Sequence, residues 1–142
     1  LLQIVRTSDA IRCFRSSFES DPYYCPAWYS LATLLGNLGQ HEDAVPLFDE
    51  ALKLEPQNHE AFYNKANSLA ALGRHHEAAS SYAKTVELAP NYYQAWFNLG
   101  NSLLQLGESQ EAVNAFERFV ATAPAEASEM VSKTREWLRA NS

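Results

Sequence analysis

The sequence of 142 residues has little of what several common classes of protein require. Cysteine occurs only as Cys13 and Cys25, too few for a disulfide framework, and the spacing of these cysteines with the four histidines matches no zinc pattern. No apolar run approaches the roughly 18 to 20 residues that cross a bilayer, and the N-terminus lacks the apolar stretch of a signal peptide. We therefore expect no metal site and no membrane insertion.

Basic residues are also scarce, because 11 Lys and Arg are outnumbered by 17 Asp and Glu, which gives a formal net charge of −6. This balance disfavours attraction to nucleic-acid phosphates or to an anionic membrane. Catalytic signatures are missing too: there is no nucleophile elbow, no phosphate-binding glycine loop and no HExxH motif. We predict a protein that is not an enzyme, binds no cofactor and has no nucleic-acid partner.

The composition that is present, 46% hydrophobic and 20% charged, is ordinary for a globular domain with a packed core. The first residue is Leu1 instead of methionine, so we expect a piece of a longer protein. The sequence carries no signal for a compartment. Cytoplasm is the default expectation, because two unpaired cysteines are compatible with it.

Three stretches of the sequence share one layout with a period of 34 residues. Each stretch contains an aromatic residue, then a glycine, an alanine and a proline, at equal spacings. Three copies in frame indicate an internal repeat and a stacked architecture. The four marker positions are Trp28, Phe62 and Trp96; Gly39, Gly73 and Gly107; Ala44, Ala78 and Ala112; and Pro56, Pro90 and Pro124.

Each copy divides into two amphipathic helices. In the third copy, Trp96, Leu99 and Leu103 recur at the 3.6-residue period of one helical face. Gly107 ends this first helix, and Pro124 stops the second one. The spacing predicts helices near 26–38, 42–54, 60–72, 76–88, 94–106 and 110–122, and the short linkers predict that neighbouring helices are antiparallel.

The same frame divides the whole chain. Residues 25–58, 59–92 and 93–126 are full copies, and 1–24 matches the second half of a copy. We expect 127–142 to be a capping helix that closes the array. Whether residues 1–8 form a separate helix stays open.

A few residues depart from the pattern. Lys65 takes the place of Leu31 and Leu99, and we expect its stem to follow the surface while its ammonium group stays in water. Pro46 lies early in the second helix of the first copy, where we expect it only to delay the helix start. Three turn histidines, which we expect to be solvated instead of bound to metal, are His41, His75 and His76.

The W-x2-L-G pattern, the later alanine, the aromatic residue four positions after it and the closing proline resemble the tetratricopeptide repeat. The resemblance covers residues 25–126 and implies an all-α, right-handed solenoid of antiparallel helix pairs with a C-terminal capping helix. In the third copy the matching residues are Trp96, Leu99, Gly100, Ala112, Phe116 and Pro124.

The resemblance also implies a concave groove lined one, two and five residues after the signature aromatic residue. An asparagine row can pair with the backbone N–H and C=O groups of an extended peptide. Asparagine and tyrosine are also the commonest family residues at these places, so family background alone can explain their presence. We expect a scaffold for protein–protein interaction that binds an extended peptide or helix. The implied groove residues are Tyr29, Ser30, Thr33, Tyr63, Asn64, Asn67, Phe97, Asn98 and Asn101.

Three other hypotheses are open. A clamp for the acidic C-termini of chaperones is disfavoured, because Tyr29 or Tyr63 and Gln94 stand where the family has basic residues. The chain could instead form a homo-oligomer through its half repeat, whose Ile11, Phe14 and Phe18 would otherwise be exposed. It could also be a regulatory or targeting arm of a larger enzyme, as in glycosyltransferases and phosphatases of the family.

Overall fold

The computed structural model describes residues 25–141, with side chains from Trp28 onward. The predicted half repeat at 1–24 lies outside the described residues. Within them, the secondary structure is entirely helical, which confirms the all-α prediction, and each of the six predicted helices is found within one residue at both ends. The seven α-helices are α1 (Cys25–Asn37), α2 (His41–Leu54), α3 (His59–Ala71), α4 (His75–Leu88), α5 (Tyr93–Gln105), α6 (Ser109–Thr122) and α7 (Ser128–Asn141), with a 3-10 turn at Ala125–Ala127 before α7.

Glycine ends the first helix of every copy as predicted. The φ angles of Gly39, Gly73 and Gly107 are +81°, +77° and +77°. This left-handed conformation is unfavourable for residues other than glycine. After Gly39, the amide of Gln40 donates to the carbonyl of Leu35 at 2.8 Å, and equivalent bonds follow the other two glycines. This is the Schellman motif, which satisfies the last carbonyls of a helix and reverses the chain sharply.

Each helix packs against the next one along the chain, so the core runs through the stack. Small residues allow the close approach: Ala44, Ala78 and Ala112 are each fully buried. The large rings beside them, Phe48 and Tyr82, are also almost completely buried. Burial of one such ring contributes on the order of 1.5 to 3 kcal/mol, so stacking between copies supplies much of the stability.

Two of the departures from the pattern behave differently from expectation. The Lys65 ammonium is not left to water: its Nζ lies 2.6 Å from Oδ1 of Asp49 on α2, and its side chain is only 21% exposed. Pro46 does not delay α2, which begins at His41, directly after the Gly39 turn. Pro46 is exposed, so water can replace the helical hydrogen bond that its missing N–H cannot make.

The last helix, α7, packs against α6, with the Trp137 ring 5.1 Å from that of Phe116. In the 34-residue frame, Thr134 takes the place of Gly100, Ala66 and Ala32, and all four positions are buried. α7 therefore continues the stack in register, as a further first helix. The handedness of the solenoid and the capping role of α7 stay predictions.

Candidate peptide-binding groove

All nine predicted groove residues lie on the first helices of the copies, α1, α3 and α5. Ser30 and Asn101 are exposed, and the other seven are half-buried. Half-buried side chains are held in place by neighbours and still present part of their surface. The helices therefore provide a row of fixed side chains with exposed positions near either end.

An aromatic contact positions the row identically in every copy. The ring of Tyr29 lies 6.2 Å from that of Phe48, Tyr63 lies 5.9 Å from Tyr82, and Phe97 lies 5.8 Å from Phe116. The rings meet edge-on or tilted, an arrangement that aromatic pairs favour. Each groove ring is thus anchored by the buried aromatic residue of the second helix of its own copy.

Hydrogen bonds connect the row across the copies. Asn64 Nδ2 donates to the hydroxyl of Tyr29 at 2.9 Å, and Asn98 Nδ2 donates to the hydroxyl of Tyr63 at 3.1 Å. The partners are 35 residues apart in both cases, one more than the period. We call Tyr29, Asn64, Asn67, Tyr63 and Asn98 the Tyr–Asn row.

Asn67 accepts two hydrogen bonds through its side-chain oxygen. Its Oδ1 accepts from the hydroxyl of Tyr82 and from Asn98 Nδ2, the latter at 3.4 Å. Burial raises the pKa of the Tyr82 hydroxyl, and the adjacent Tyr63 raises it further. Tyr82 therefore stays protonated and donates at any neutral pH, which fixes the direction of the Asn67 amide.

The two ends of the row differ in charge and polarity. Burial raises the pKa of the Tyr29 hydroxyl, and the nearby Glu60 carboxylate adds to this effect. At the other end, Phe97 lacks a hydroxyl group and packs 5.0 Å from the ring of Phe119. A cleft of about 170 Å³ between α5 and α7 adjoins this end and is lined by Phe97, Asn101, Leu104, Phe116, Lys133, Thr134 and Trp137.

A small polar cavity of about 90 Å³ opens beside Thr33 and extends the row inward. It contains His41, whose Nδ1 lies 3.0 Å from Oγ of Ser68. The expectation of solvated turn histidines is therefore wrong for His41, and also for half-buried His75, whose Nδ1 is shielded from water. His76 is exposed as expected.

Within residues 25–141, no group of three or more His, Cys, Asp or Glu side chains is arranged to hold a metal ion. In the same part of the chain, no helix is both long and apolar enough to span a membrane.

Sequence reasoning missed Tyr82 as part of the site. Its hydroxyl reaches the row from the second helix of its copy, a helix assigned only to the core. A comparison of the equivalent residues Phe48, Tyr82 and Phe116 could have indicated this role, because only Tyr82 has a hydroxyl group. That hydroxyl donates to Asn67. Tyr92 was also missed, although its ring lies 4.8 Å from that of Tyr63.

These features define a solenoid of stacked helix pairs with a repeated polar and aromatic row on the first helices. The model of the family described as tetratricopeptide repeat matches residues 29–93 and again 63–127. The chain belongs to the tetratricopeptide repeat family. Members of this family typically serve as protein-interaction scaffolds.

Several solved structures share this fold. A crystal structure of MamA is 18% identical, has a TM-score of 0.79, and aligns over 94% of this chain and 85% of its own. MamA 41-end from Desulfovibrio magneticus RS-1 is 17% identical, with a TM-score of 0.74 over 86% and 69%. A type III secretion (T3SS) complex from Aeromonas hydrophila is 23% identical, with a TM-score of 0.74 over 82% and 79%. At these identities the likeness shows the fold alone, and no curated protein sequence matches the chain significantly.

Proposed function

We propose that the chain is a non-enzymatic scaffold that binds an extended peptide of a partner protein along the Tyr–Asn row. The observation that carries this proposal is the set of hydrogen bonds that fixes the three row amides and leaves part of each one unused. The fold supports a protein partner in general, and the unused hydrogen-bonding groups of the row support the proposal that a peptide backbone binds there.

The unused hydrogen-bonding capacity matches a peptide backbone. A primary amide has two N–H donors and an oxygen that can accept twice. Asn64 uses one donor on Tyr29, which leaves one donor and its oxygen, whereas Asn67 uses only its oxygen and keeps both donors. Asn98 donates to two partners through Nδ2 and keeps its oxygen. The row therefore offers both donors and acceptors to the C=O and N–H groups of an extended chain.

The row is also preorganised. Each amide is held by a neighbour in an adjacent helix, so little side-chain entropy is lost when a peptide binds. The rings of Tyr29, Tyr63 and Phe97 stand beside the amides and can cover apolar peptide side chains. None of the nine predicted residues is charged, so binding should depend only weakly on salt concentration.

Isothermal titration calorimetry tests the proposal, with a partner recovered by affinity capture on the full chain. Asn64→Ala and Asn98→Ala should each weaken binding by about tenfold, because a hydrogen bond and its fixed geometry are lost. Asn91→Ala is the matched control: Asn91 is exposed in the turn before α5, outside the row. Unchanged affinity in both row variants, with normal circular dichroism, would place the site elsewhere.

A further inference from the structure

A second groove lies on a different face of α5 from the Tyr–Asn row. Its floor is formed by Trp96, Leu99 and Leu103, its walls are α4 and α6, and its volume is about 780 Å³. At 100° per residue, these floor residues lie on the opposite side of the helix from Phe97, Asn98 and Asn101. We call this surface the α4–α6 groove.

The groove results from differences between copies. In the 34-residue frame, Ala79 and Ala83 on α4 take the places of Val45 and Asp49 on α2. At the floor, Leu99 takes the place of Lys65. At the corresponding position between the first and second copies, Lys65 and Asp49 form an ion pair. The α4–α6 groove instead has small alanine side chains on its α4 wall and an apolar floor.

The floor of the groove is apolar and its rim is acidic. The indole N–H of Trp96 donates to the carbonyl of Pro90 at 2.8 Å, so this ring brings no unsatisfied donor to the floor. Glu108, Glu111 and Glu117 line the rim, together with His76 and with Arg118, whose guanidinium lies 5.9 Å from the centre of the Trp96 ring. Three carboxylates against one guanidinium give the rim a net negative charge.

We propose that the α4–α6 groove binds a helix of a partner protein that has an apolar face bordered by Lys or Arg. A volume of about 780 Å³ is within the range of roughly 300 to 1,000 Å³ typical of ligand sites, enough for several side chains. The walls are 14-residue helices, roughly 21 Å long. They can accommodate three turns with apolar residues at i, i+3, i+4 and i+7.

The acidic rim favours a basic partner protein over nucleic acids and anionic lipids. Carboxylates attract Lys and Arg at the edges of a helix and repel the phosphates of nucleic acids and anionic lipids. This surface is separate from the Tyr–Asn row, so its occupation does not depend on the proposed peptide site.

The probe is a synthetic, fluorescein-labelled helical peptide. It has 14 residues, the same number as each wall helix, with Leu at the four apolar positions and Lys and Ala elsewhere. Fluorescence anisotropy with the full chain should show saturable binding, and a peptide with Glu in place of Lys should not bind. Ala83→Gln fills the groove from an exposed position and should weaken binding by about tenfold or more. Ala121→Gln, at an exposed position outside the groove on α6, should leave it unchanged.

Three results would overturn the proposal. The first is the absence of binding by the Lys peptide, and the second is equal affinity for the wild-type chain and Ala83→Gln. The third is self-association that Ala83→Gln abolishes in light scattering, which would make a second copy the occupant. Asn64→Ala should not change affinity for this probe, so failure here and failure of the peptide site are distinguishable.

Discussion

Replacing Gly100 with alanine adds a methyl group where the structure has no room for one. A Cβ at this position would lie 2.7 Å from Cε1 and Cζ of Phe116 and 2.9 Å from its Cδ1. The ring cannot easily move, because it is only 4% exposed and packs against Phe97 and Trp137. Alanine is accepted at the corresponding Ala66, so the clash arises from how closely Phe116 approaches α5.

The expected loss of stability follows from two opposing terms. Overpacking a tight core costs about 2 to 3 kcal/mol, whereas alanine is favoured over glycine in a helix by about 1 kcal/mol. The Gly100→Ala variant should therefore be less stable by about 1 to 2 kcal/mol. Urea unfolding followed by far-UV circular dichroism measures this difference.

Gly36→Ala is the matched control for this measurement. Gly36 is also inside a first helix, but its Cβ would lie at an ordinary 3.4 Å from Oγ of Ser68. It should gain about 0.5 to 1 kcal/mol from helix propensity. Adding Phe116→Leu to Gly100→Ala should relieve the clash and give a coupling of about 1 to 2 kcal/mol. If Gly100→Ala is as stable as Gly36→Ala, the packing argument is refuted.

Three further predictions test the packing of the stack. Phe116→Ala should lose roughly 3 to 5 kcal/mol, and an unchanged thermal melt would contradict its role between copies. Lys65→Ala leaves Asp49 without its partner and should lose about 0.5 to 1 kcal/mol, and this loss should shrink when Asp49 is already alanine; an equal loss in the Asp49→Ala background, measured by urea unfolding, would argue against an ion-pair effect. The pKa of Tyr82 is raised above its ordinary 10.0 in the folded chain. Its contribution to the free energy of unfolding is therefore fully present below pH 10 and is lost as the pH rises further. The fall is up to about 1.4 kcal/mol per pH unit for each tyrosine with such a shift. Tyr82→Phe should flatten this alkaline fall, and an unaltered slope would count against the burial of its hydroxyl.

The helices could be predicted from the sequence because each boundary has a local chemical cause. Gly39, Gly73 and Gly107 adopt a conformation that other residues disfavour, and Pro56 follows the end of its helix closely. The delay expected from Pro46 is absent because the preceding turn, rather than the first residue with a fixed φ angle, sets where α2 begins. Local signals of this kind do not depend on distant packing.

The contacts between helices could be predicted only in part. The period placed Tyr29 and Asn64 on neighbouring first helices, but the hydrogen bond between them depends on how those helices cross. The Lys65–Asp49 pair has the same dependence, since it joins helices of different copies. The nine groove residues as a binding site stay a prediction, and the self-association hypothesis rests on residues 1–24, outside the described part of the chain.

If the chain is a peptide-binding scaffold, the amides of the Tyr–Asn row contact the bound peptide. Nuclear magnetic resonance of the side-chain amides tests it most directly, by adding a peptide from the captured partner to the isotope-labelled chain. The side-chain NH₂ signals of Asn64, Asn67 and Asn98 should shift with the peptide concentration, while that of Asn91 should not. Shifts confined to residues of α2, α4 and α6 would contradict it.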